Sequence, residues 1–236
     1  MTKKDLIIIP TYKEELNIKI IYRRIRNNNS NSDILFIDDN SPDKTAEKIK
    51  EIIKIDKKVF ILEREKKLGI GSAHKDGFQW AIKKKYNFVT TIDADLSHEP
   101  ELIPDMIKNL DKYEIVLTGR FLKKDTLKEW SLIRRLITKT RHIVVKTLLG
   151  IPYDSSGAFR AYNFEKIKIT HLIKAKDNGY SFFWESLYFL YKKNYKILEI
   201  PMRQPRRMHG ASKIRLNDII RAVTYLIYFY FKQKFK

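Results

Sequence analysis

The sequence predicts an α/β fold in which a mostly parallel sheet is flanked by helices. Short apolar runs recur along the chain, and the first four alternate with segments whose apolar side chains have helical spacing. These runs occupy residues 6–9, 34–37, 59–62, 87–92 and 114–120. Such alternation is typical of parallel strands joined by crossover helices. The 236 residues fit one large domain with a sizeable core.

The first elements follow this pattern in order. The first strand stops at Pro10, and residues 14–25 carry apolar side chains three and four positions apart, which predicts a helix. The second strand ends in Asp38 and Asp39, and a helix through residues 46–53 leads to the third strand. Acidic residues therefore follow a strand at the edge where open α/β sheets bind ligands.

Two other classes of α/β protein fit less well. Gly69 and Gly71 resemble part of a dinucleotide-binding fingerprint, but that fingerprint belongs directly after the first strand, and here a charged stretch at 64–67 precedes it. A phosphorelay receiver domain would explain Asp38 and Asp39. However, this pair follows the second strand, the chain is too long, and a second acidic pair would be surplus.

That second pair is Asp93 and Asp95, which follow the buried strand predicted at residues 87–92. Pro100 then suits the first turn of the next helix. Two carboxylates this close repel unless a cation or a proton lies between them, and hard divalent cations share oxygen ligands with substrate phosphates. The stretch alone fits a metal–diphosphate site and an acidic turn that caps the helix equally well.

The amino-acid composition limits the classes of binding partner and the cellular compartment that fit this chain. Lys and Arg number 48 against 28 Asp and Glu, and the net charge of +20 favours nucleic acid, acidic membrane surfaces or phosphorylated substrates. The chain has no cysteine, which excludes disulfides and thiolate metal sites and fits a reducing compartment. No signal-peptide core is expected at the start, and no stretch reaches the roughly 20 apolar residues that span a bilayer. We therefore expect a soluble or peripheral protein.

Residues 130–149 predict an amphipathic helix with one basic side. The apolar side carries Ile133, Leu136, Ile137, Val144 and Leu148. The basic side carries Arg134, Arg135, Lys139, Arg141, His142 and Lys146. Such a helix suits a membrane interface, although an ordinary surface helix of a basic protein has the same pattern.

The remaining segments alternate between packing and charge. Residues 154–160 predict a small-residue turn, and a helix at 182–191 places Glu185 among aromatic residues, where an arginine partner is expected. A last strand at 197–202 leads to a basic loop suited to gripping phosphate, or to a mobile loop that substrate orders. Residues 219–231 are aromatic and suit either a membrane interface or packing against the domain or another subunit.

In the order and spacing of its motifs, the chain resembles family 2 glycosyltransferases, and more narrowly the dolichyl-phosphate (polyprenyl-phosphate) mannosyltransferases. The motifs span nearly the whole chain and lie at residues 10–14, 38–43, 68–73, 93–98, 119–120, 156–160 and 207–213. The resemblance implies a GT-A fold, a nucleotide-sugar donor and Mg²⁺ or Mn²⁺. It also implies a catalytic domain at residues 1–213, followed by an aromatic and basic amphipathic tail at 214–236 that is expected at a membrane interface.

The resemblance also assigns roles to residues. Donor binding is implied for Pro10, Tyr12, Glu14, Ile37, Asp39, Asp93, Ala94 and Asp95. Metal ligation is implied for Asp93, Asp95 and Ser97, although Ser97 stands where some relatives carry glutamine. Catalytic positions that grip or neutralise phosphate are Asp95, Arg120, Arg207 and Lys213. For the acceptor phosphate we expect Arg134, Arg135, Asp154 and Ser156.

The expected reaction is inverting transfer of mannose from GDP-mannose to a polyprenyl (dolichyl) phosphate by a peripheral enzyme at the cytoplasmic face of a membrane, with a small membrane subunit as a further partner. The acceptor phosphate is already anionic at neutral pH, so no strong general base is expected. Asp154 and Glu185 would then place the acceptor. Lys13, Lys44 and residues 154–158 depart from commoner family forms, which leaves the sugar and the lipid open.

Three rival functions remain at this point. A UDP-sugar could be the donor for another polyprenyl-phosphate hexosyltransferase. A polysaccharide-building member of family 2 would share the donor half but would need a base for a sugar hydroxyl. A nucleic-acid-binding protein would explain the charge, but the acidic strand ends would repel phosphate, so no nucleic-acid partner is expected.

Overall fold

The computed structural model describes residues 3–29, 31–205 and 216–235. Its strands are β1 (Asp5–Thr11), β2 (Asp33–Asp38), β3 (Val59–Glu63), β4 (Phe88–Thr91), β5 (Ile115–Gly119), β6 (Arg160–Asn163) and β7 (Ile197–Pro201). Its helices are α1 (Glu15–Asn28), α2 (Thr45–Ile55), α3 (Ile70–Lys83), α4 (Ile103–Asn109), α5 (Leu132–Leu149), α6 (Ile169–Leu172), α7 (Phe182–Lys192) and α8 (Leu216–Lys234). A 3₁₀ turn at Pro100–Leu102 precedes α4.

The strands form one seven-stranded sheet in the order β3-β2-β1-β4-β6-β5-β7. β1 pairs in parallel with β2 and β4, β2 pairs in parallel with β3, and β5 pairs in parallel with β7. The predicted α/β fold with a mostly parallel sheet is therefore confirmed. Since the parallel strands share one direction, the ends of β1, β2 and β4 meet at one edge.

The sequence did not predict β6, which runs antiparallel between β4 and β5. The residues assigned to a turn end at Arg160, where this strand begins. Arg160 and Asn163 are fully buried, and their side chains donate hydrogen bonds to the carbonyl oxygens of Ser155 (2.8 Å) and Leu110 (3.0 Å). Polar residues with such partners can occupy a buried strand. β6 therefore lacks the continuous apolar run by which the other strands were predicted.

Apolar side chains cover both faces of the sheet. One face packs against α1, α2 and α4 through residues such as Ile18, Ile49 and Met106. The other packs against α3 and α7 through residues such as Phe78 and Leu187. Helices therefore cover both faces of the sheet, and a ligand can reach the sheet only at the ends of its strands.

Helix α8 packs against α7. The Phe229 ring lies 5.2 Å from the Trp184 ring and 5.1 Å from the Tyr188 ring, measured between centroids. The Tyr225 hydroxyl donates a 3.0 Å hydrogen bond to Glu185 Oε1. These contacts attach α8 to the body of the protein; the predicted division into residues 1–213 and 214–236 stays a prediction.

Helices α5 and α8 contact each other and expose large apolar side chains. On α5, Ile133 is 74% exposed and Leu136 is 67% exposed, whereas the side packed on the protein carries Thr138, Val145 and Leu149. The exposed apolar residues of α8 include Ile219, Ile220, Val223, Ile227 and Phe231. None of the helices in the described ranges is long and apolar enough to cross a membrane.

Candidate active site

A cavity of about 430 Å³ opens at the ends of β1, β2 and β4. Every residue predicted to bind the donor lines it except Ile37, which is fully buried in the core. Those lining residues are Pro10, Tyr12, Glu14, Asp39, Asp93, Ala94 and Asp95. Arg207 and Lys213, which the sequence also predicted here, lie outside the described residues.

The turns after these strands adopt uncommon backbone conformations. Lys13 after β1, Asn40 after β2 and Leu96 after β4 have φ angles of 57°, 54° and 61°. Left-handed φ values are uncommon outside glycine and cluster at functional sites. The first two turns hold each other, because the Lys13 backbone N–H donates to Ser41 Oγ at 3.0 Å.

Arg64 fixes Asp39 in the cavity wall. Its Nη1 donates to Asp39 Oδ1, its Nε lies 3.1 Å from Asp76 Oδ2, and its Nη2 donates to Ser72 Oγ. Burial raises the pKa of Asp39, and the Arg64 charge opposes that rise. Lys67 completes this wall, with Nζ 4.2 Å from the Tyr12 ring centroid. The sequence predicts only a charged stretch at residues 64–67 and does not place Arg64 and Lys67 at the cavity.

Asp93 and Asp95 lie side by side in the lining, and the turn between them and α4 holds both. Asp95 Oδ1 accepts hydrogen bonds from the Ser97 backbone N–H at 3.1 Å and from the Ser97 hydroxyl at 2.6 Å. The Asp93 backbone N–H donates to His98 Nδ1 at 3.3 Å. Ser97 thus orients a carboxylate here, whereas its direct contact with a metal stays a prediction.

The two carboxylates fit a hard divalent cation in ligand type. Within the residues that the structure describes, no group of three or more His, Cys, Asp or Glu side chains could hold a metal ion. A cation at this point would therefore take further oxygens from a bound diphosphate or from water, as Mg²⁺ commonly does.

The glycines at the start of α3 pack against residues 177–181. The backbone N–H groups of Gly71 and Ser72 donate to the Asn178 carbonyl at 2.8 and 3.2 Å, so this helix N-terminus already has an acceptor. Gly69 has φ of +101°, and a Cβ there would collide with the same carbonyl. The two glycines instead allow residues 177–181 to approach and form another wall of the cavity.

Helix α8 supplies part of the same wall through Asp218, Arg221 and Ala222. Arg221 Nη2 lies 3.3 Å from Asp177 Oδ1. Glu185 stabilises this region, because its Oε2 accepts the backbone N–H groups of Lys176 at 2.9 Å and Asp177 at 3.0 Å. Among the described residues, the hydrogen bonds of Glu185 come from these two backbone N–H groups and from the Tyr225 hydroxyl rather than from the expected arginine.

A second charged cluster is built on Arg120 and Asp154. Arg120 Nε and Nη2 donate to the two oxygens of Asp154 at 2.6 and 2.7 Å, and both side chains are buried. Burial alone would raise the pKa of Asp154, but the Arg120 guanidinium outweighs it and holds that pKa well below its usual range. Glu199 Oε1 accepts the Asp154 backbone N–H at 2.7 Å.

The structure separates the predicted acceptor residues into two groups. Ser156 lies with Asp154 and Arg120, and its hydroxyl accepts from Arg120 Nη2. Arg134 instead stacks on Trp130, with its guanidinium carbon 3.5 Å from the ring centroid. Arg135 donates to the Trp130 carbonyl at 2.8 Å, so the turn before α5 engages both arginines.

Known proteins with similar sequences are named for sugar transfer. The chain is 29% identical to a polyprenol monophosphomannose synthase of Mycolicibacterium smegmatis over 225 residues, which cover 94% of this chain and 85% of that protein. It is 29% identical to an undecaprenyl-phosphate mannosyltransferase of Micrococcus luteus over 210 residues, which cover 89% and 86%.

A solved structure shows the same fold at lower identity. Glucosyl-3-phosphoglycerate synthase from Mycobacterium tuberculosis, in complex with Mn²⁺, UDP and glucosyl-3-phosphoglycerate, superposes with a TM-score of 0.62 at 17% identity. The match covers 95% of this chain and 77% of that one. This likeness agrees with the predicted GT-A fold.

The sequence model described as glycosyl transferase family 2 matches residues 6–169. This match covers more than half of the chain and includes both carboxylates at the end of β4 as well as the Arg120 and Asp154 pair. The protein belongs to glycosyl transferase family 2.

Proposed function

We propose that this protein transfers mannose, with inversion, from GDP-mannose to the phosphate of a polyprenol such as dolichol. The observation that carries the proposal is the cavity that joins Tyr12, Asp39, Asp93 and Asp95 at one edge of the sheet. Its acidic end suits a metal-bound diphosphate, and Tyr12 with Asp39 offers a ring and a hydrogen-bond acceptor to a nucleoside. The two curated relatives support a polyprenyl phosphate as acceptor.

Asp93 and Asp95 are the residues that would hold Mg²⁺ or Mn²⁺. When bound, such a cation neutralises charge that develops on the leaving diphosphate. Ser97 keeps the Asp95 carboxylate oriented toward that task through its 2.6 Å hydrogen bond. Arg207 and Lys213 are proposed to add positive charge on the same leaving group.

Asp154 fits a reaction without a strong general base. Its carboxylate is buried, receives two hydrogen bonds from Arg120, and has a depressed pKa, all of which make it a weak proton acceptor at neutral pH. A phosphate monoester has its second pKa near about 6, so it is already mostly anionic there. Asp154 then orients Arg120, and the acceptor attacks without losing a proton to the protein.

We also propose that α5 and α8 attach the enzyme to the cytoplasmic face of a membrane, alone or with a small membrane subunit. Both helices expose apolar side chains, and both carry exposed lysines: Lys139 and Lys146 on α5, and Lys232 and Lys234 near the end of α8. An apolar face with flanking lysines suits the boundary between acyl chains and anionic headgroups.

The test is sugar transfer by the full chain from radiolabelled GDP-mannose or UDP-glucose to a short polyprenyl phosphate in detergent. We expect a mannolipid that requires Mg²⁺ or Mn²⁺ and disappears with EDTA, and Asp95→Asn should abolish it while the fold is retained. Product from UDP-glucose alone would overturn the donor assignment. Transfer only to soluble sugars would favour a polysaccharide-building enzyme and overturn the lipid acceptor.

A further inference from the structure

Two guanidinium groups meet at the Ser156 hydroxyl. Arg141 Nη2 donates to Ser156 Oγ at 2.8 Å, and Arg120 Nη2 donates to the same atom. The hydroxyl in turn donates to Asp154 Oδ1 at 3.2 Å. A hydroxyl has two acceptor positions and one donor, so this atom is fully used and brings two cationic groups together.

The cluster carries more positive than negative charge. Arg120 has Asp154 as its ion-pair partner, whereas Arg141 has no carboxylate within ion-pair distance in the part of the chain that the structure describes. Lys146 adds a further cation near Glu199, which leaves three positive charges against two carboxylates. Like charges held this close repel, and an anion between them would relieve that repulsion.

The surroundings of Arg141 indicate which kind of anion fits. Positions three and four residues away on a helix are its neighbours on the surface. On one side these are the buried Thr138 and Val145, and on the other the exposed Ile137 and Val144. Arg141 thus lies on the border between the charged cluster and the exposed apolar side of α5. An anion on an apolar chain could touch both.

The donor cavity is a separate place, because its lining does not include Arg120, Arg141 or Ser156. Arg134 and Arg135, expected from the sequence to bind the acceptor, are engaged with Trp130 and its carbonyl oxygen at the start of the helix. The group that faces Ser156 is Arg141, about two turns further along α5.

We propose that Arg141, with Ser156 and Arg120, forms the subsite for a phosphate monoester that carries an apolar chain. This inference rests on the proposed function for the identity of that ligand, the polyprenyl phosphate. Arg120 and Ser156 are the rigid half of the subsite, held by Asp154. Arg141 is the half that opens to solvent and closes on the phosphate with its guanidinium fork.

The test measures binding of farnesyl phosphate to the full chain in detergent by calorimetry, with farnesol and inorganic phosphate in parallel. Arg141→Ala should weaken the binding of farnesyl phosphate by about tenfold to a hundredfold, because one or two charge-assisted hydrogen bonds are lost. The affinity of Arg141→Lys for farnesyl phosphate should lie between those of the wild type and Arg141→Ala, because lysine keeps the positive charge but cannot donate two parallel hydrogen bonds. Farnesol and GDP binding should not change.

Lys139→Ala is the matched control, since it removes one exposed positive charge from the same helix. It should change farnesyl phosphate binding less than about twofold, because surface charges contribute little. An equal loss in Lys139→Ala and Arg141→Ala, or a loss confined to Arg134→Ala, would overturn the subsite. Equal weakening of farnesol would also overturn it, since farnesol has no phosphate.

The transfer assay separates this proposal from the proposed function. If mannolipid forms normally and Arg141→Ala leaves the acceptor KM unchanged, the function stands and the subsite fails. If no donor supports transfer and farnesyl phosphate binding still depends on Arg141, the subsite stands and the function fails. Unfolding of each variant by circular dichroism shows whether the fold is retained, and the exposed position of Arg141 predicts that it is.

Discussion

Replacing Gly71 with alanine tests the role of the glycines at the start of α3. A Cβ on Gly71 would lie 2.5 Å from Phe182 Cβ and 2.9 Å from the Gly179 carbonyl oxygen. Carbon atoms in contact prefer about 3.5–4.0 Å, so the 177–181 segment would have to move away from the helix. Since that segment lines the cavity, both stability and nucleotide binding should suffer.

The magnitude follows from two opposed effects. Forcing an extra methyl group into a packed site costs about 1–3 kcal/mol, whereas alanine is favoured over glycine in a helix by about 1 kcal/mol. The free energy of unfolding should therefore fall by as much as about 2 kcal/mol. For a chain of this size each kcal/mol shifts the Tm by about 2–4 °C, so the Tm should fall by at most roughly 4–8 °C.

The assay combines thermal unfolding with calorimetric GDP binding. Gly157→Ala is the matched control, because its Cβ would come no closer than 3.8 Å to the Thr118 carbonyl oxygen, and its Tm should stay the same or rise slightly. If Gly71→Ala kept the wild-type Tm but lost GDP binding, the glycines would be a phosphate cradle and our packing argument would be wrong.

Three further substitutions test buried groups. Burial lowers the pKa of His74 to about 3, so between about pH 6.5 and 3 the unfolded chain holds a proton that the folded chain lacks, and stability should fall as the pH falls. His74→Phe should flatten that slope in urea unfolding. Arg64→Met leaves the buried Asp39 carboxylate unpaired and should lower the free energy of unfolding by about 3–5 kcal/mol and weaken GDP binding. Tyr225→Phe removes the hydrogen bond to Glu185 but keeps the ring, so hydrogen exchange should accelerate in α8 and not in the sheet.

Each of these has a control and a contrary result. An unchanged pH slope in His74→Phe would show that other groups cause the acid sensitivity. Lys66→Met removes an exposed positive charge beside Arg64 and should be nearly neutral; an equal loss would mean that general charge, not the buried pair, matters. Tyr228→Phe alters an exposed hydroxyl of α8, and if it accelerates exchange as much as Tyr225→Phe, the Glu185 bond is not what holds the helix.

The strand and helix alternation could be predicted because the core residues of β1 to β5 are contiguous apolar runs. Two features could not be predicted for the same physical reason: the residues that they contact are distant in the sequence. The buried Arg160 and Asn163 of β6 are stabilised by carbonyl oxygens of other segments. Gly71 is small because Phe182 and Gly179 lie against it.

Helical periodicity likewise predicted α5 but not its orientation. The pattern predicts an apolar side and a basic side, which fits both a membrane interface and an ordinary surface helix. In the structure the inward side carries Thr138, Val145 and Leu149, while Ile133 and Leu136 face outward. The motif residues after β1, β2 and β4 follow strands, so their gathering around one cavity could be predicted, whereas Arg141 lies mid-helix and only tertiary packing brings it to Ser156.

Helix α8 has a consequence for how the enzyme would respond to its surroundings. Asp218, Arg221 and Ala222 border the cavity at the strand ends, and the intervening Ile219 and Ile220 are exposed. With α8 docked on lipid as proposed, the same helix would contact the membrane on one side and border the cavity on the other. Linkage is reciprocal, so whatever factor the bilayer adds to nucleotide affinity, the nucleotide must add to bilayer affinity. If docking on lipid tightens nucleotide binding, bound nucleotide must tighten membrane binding by the same factor, and membrane affinity would fall when the nucleotide leaves.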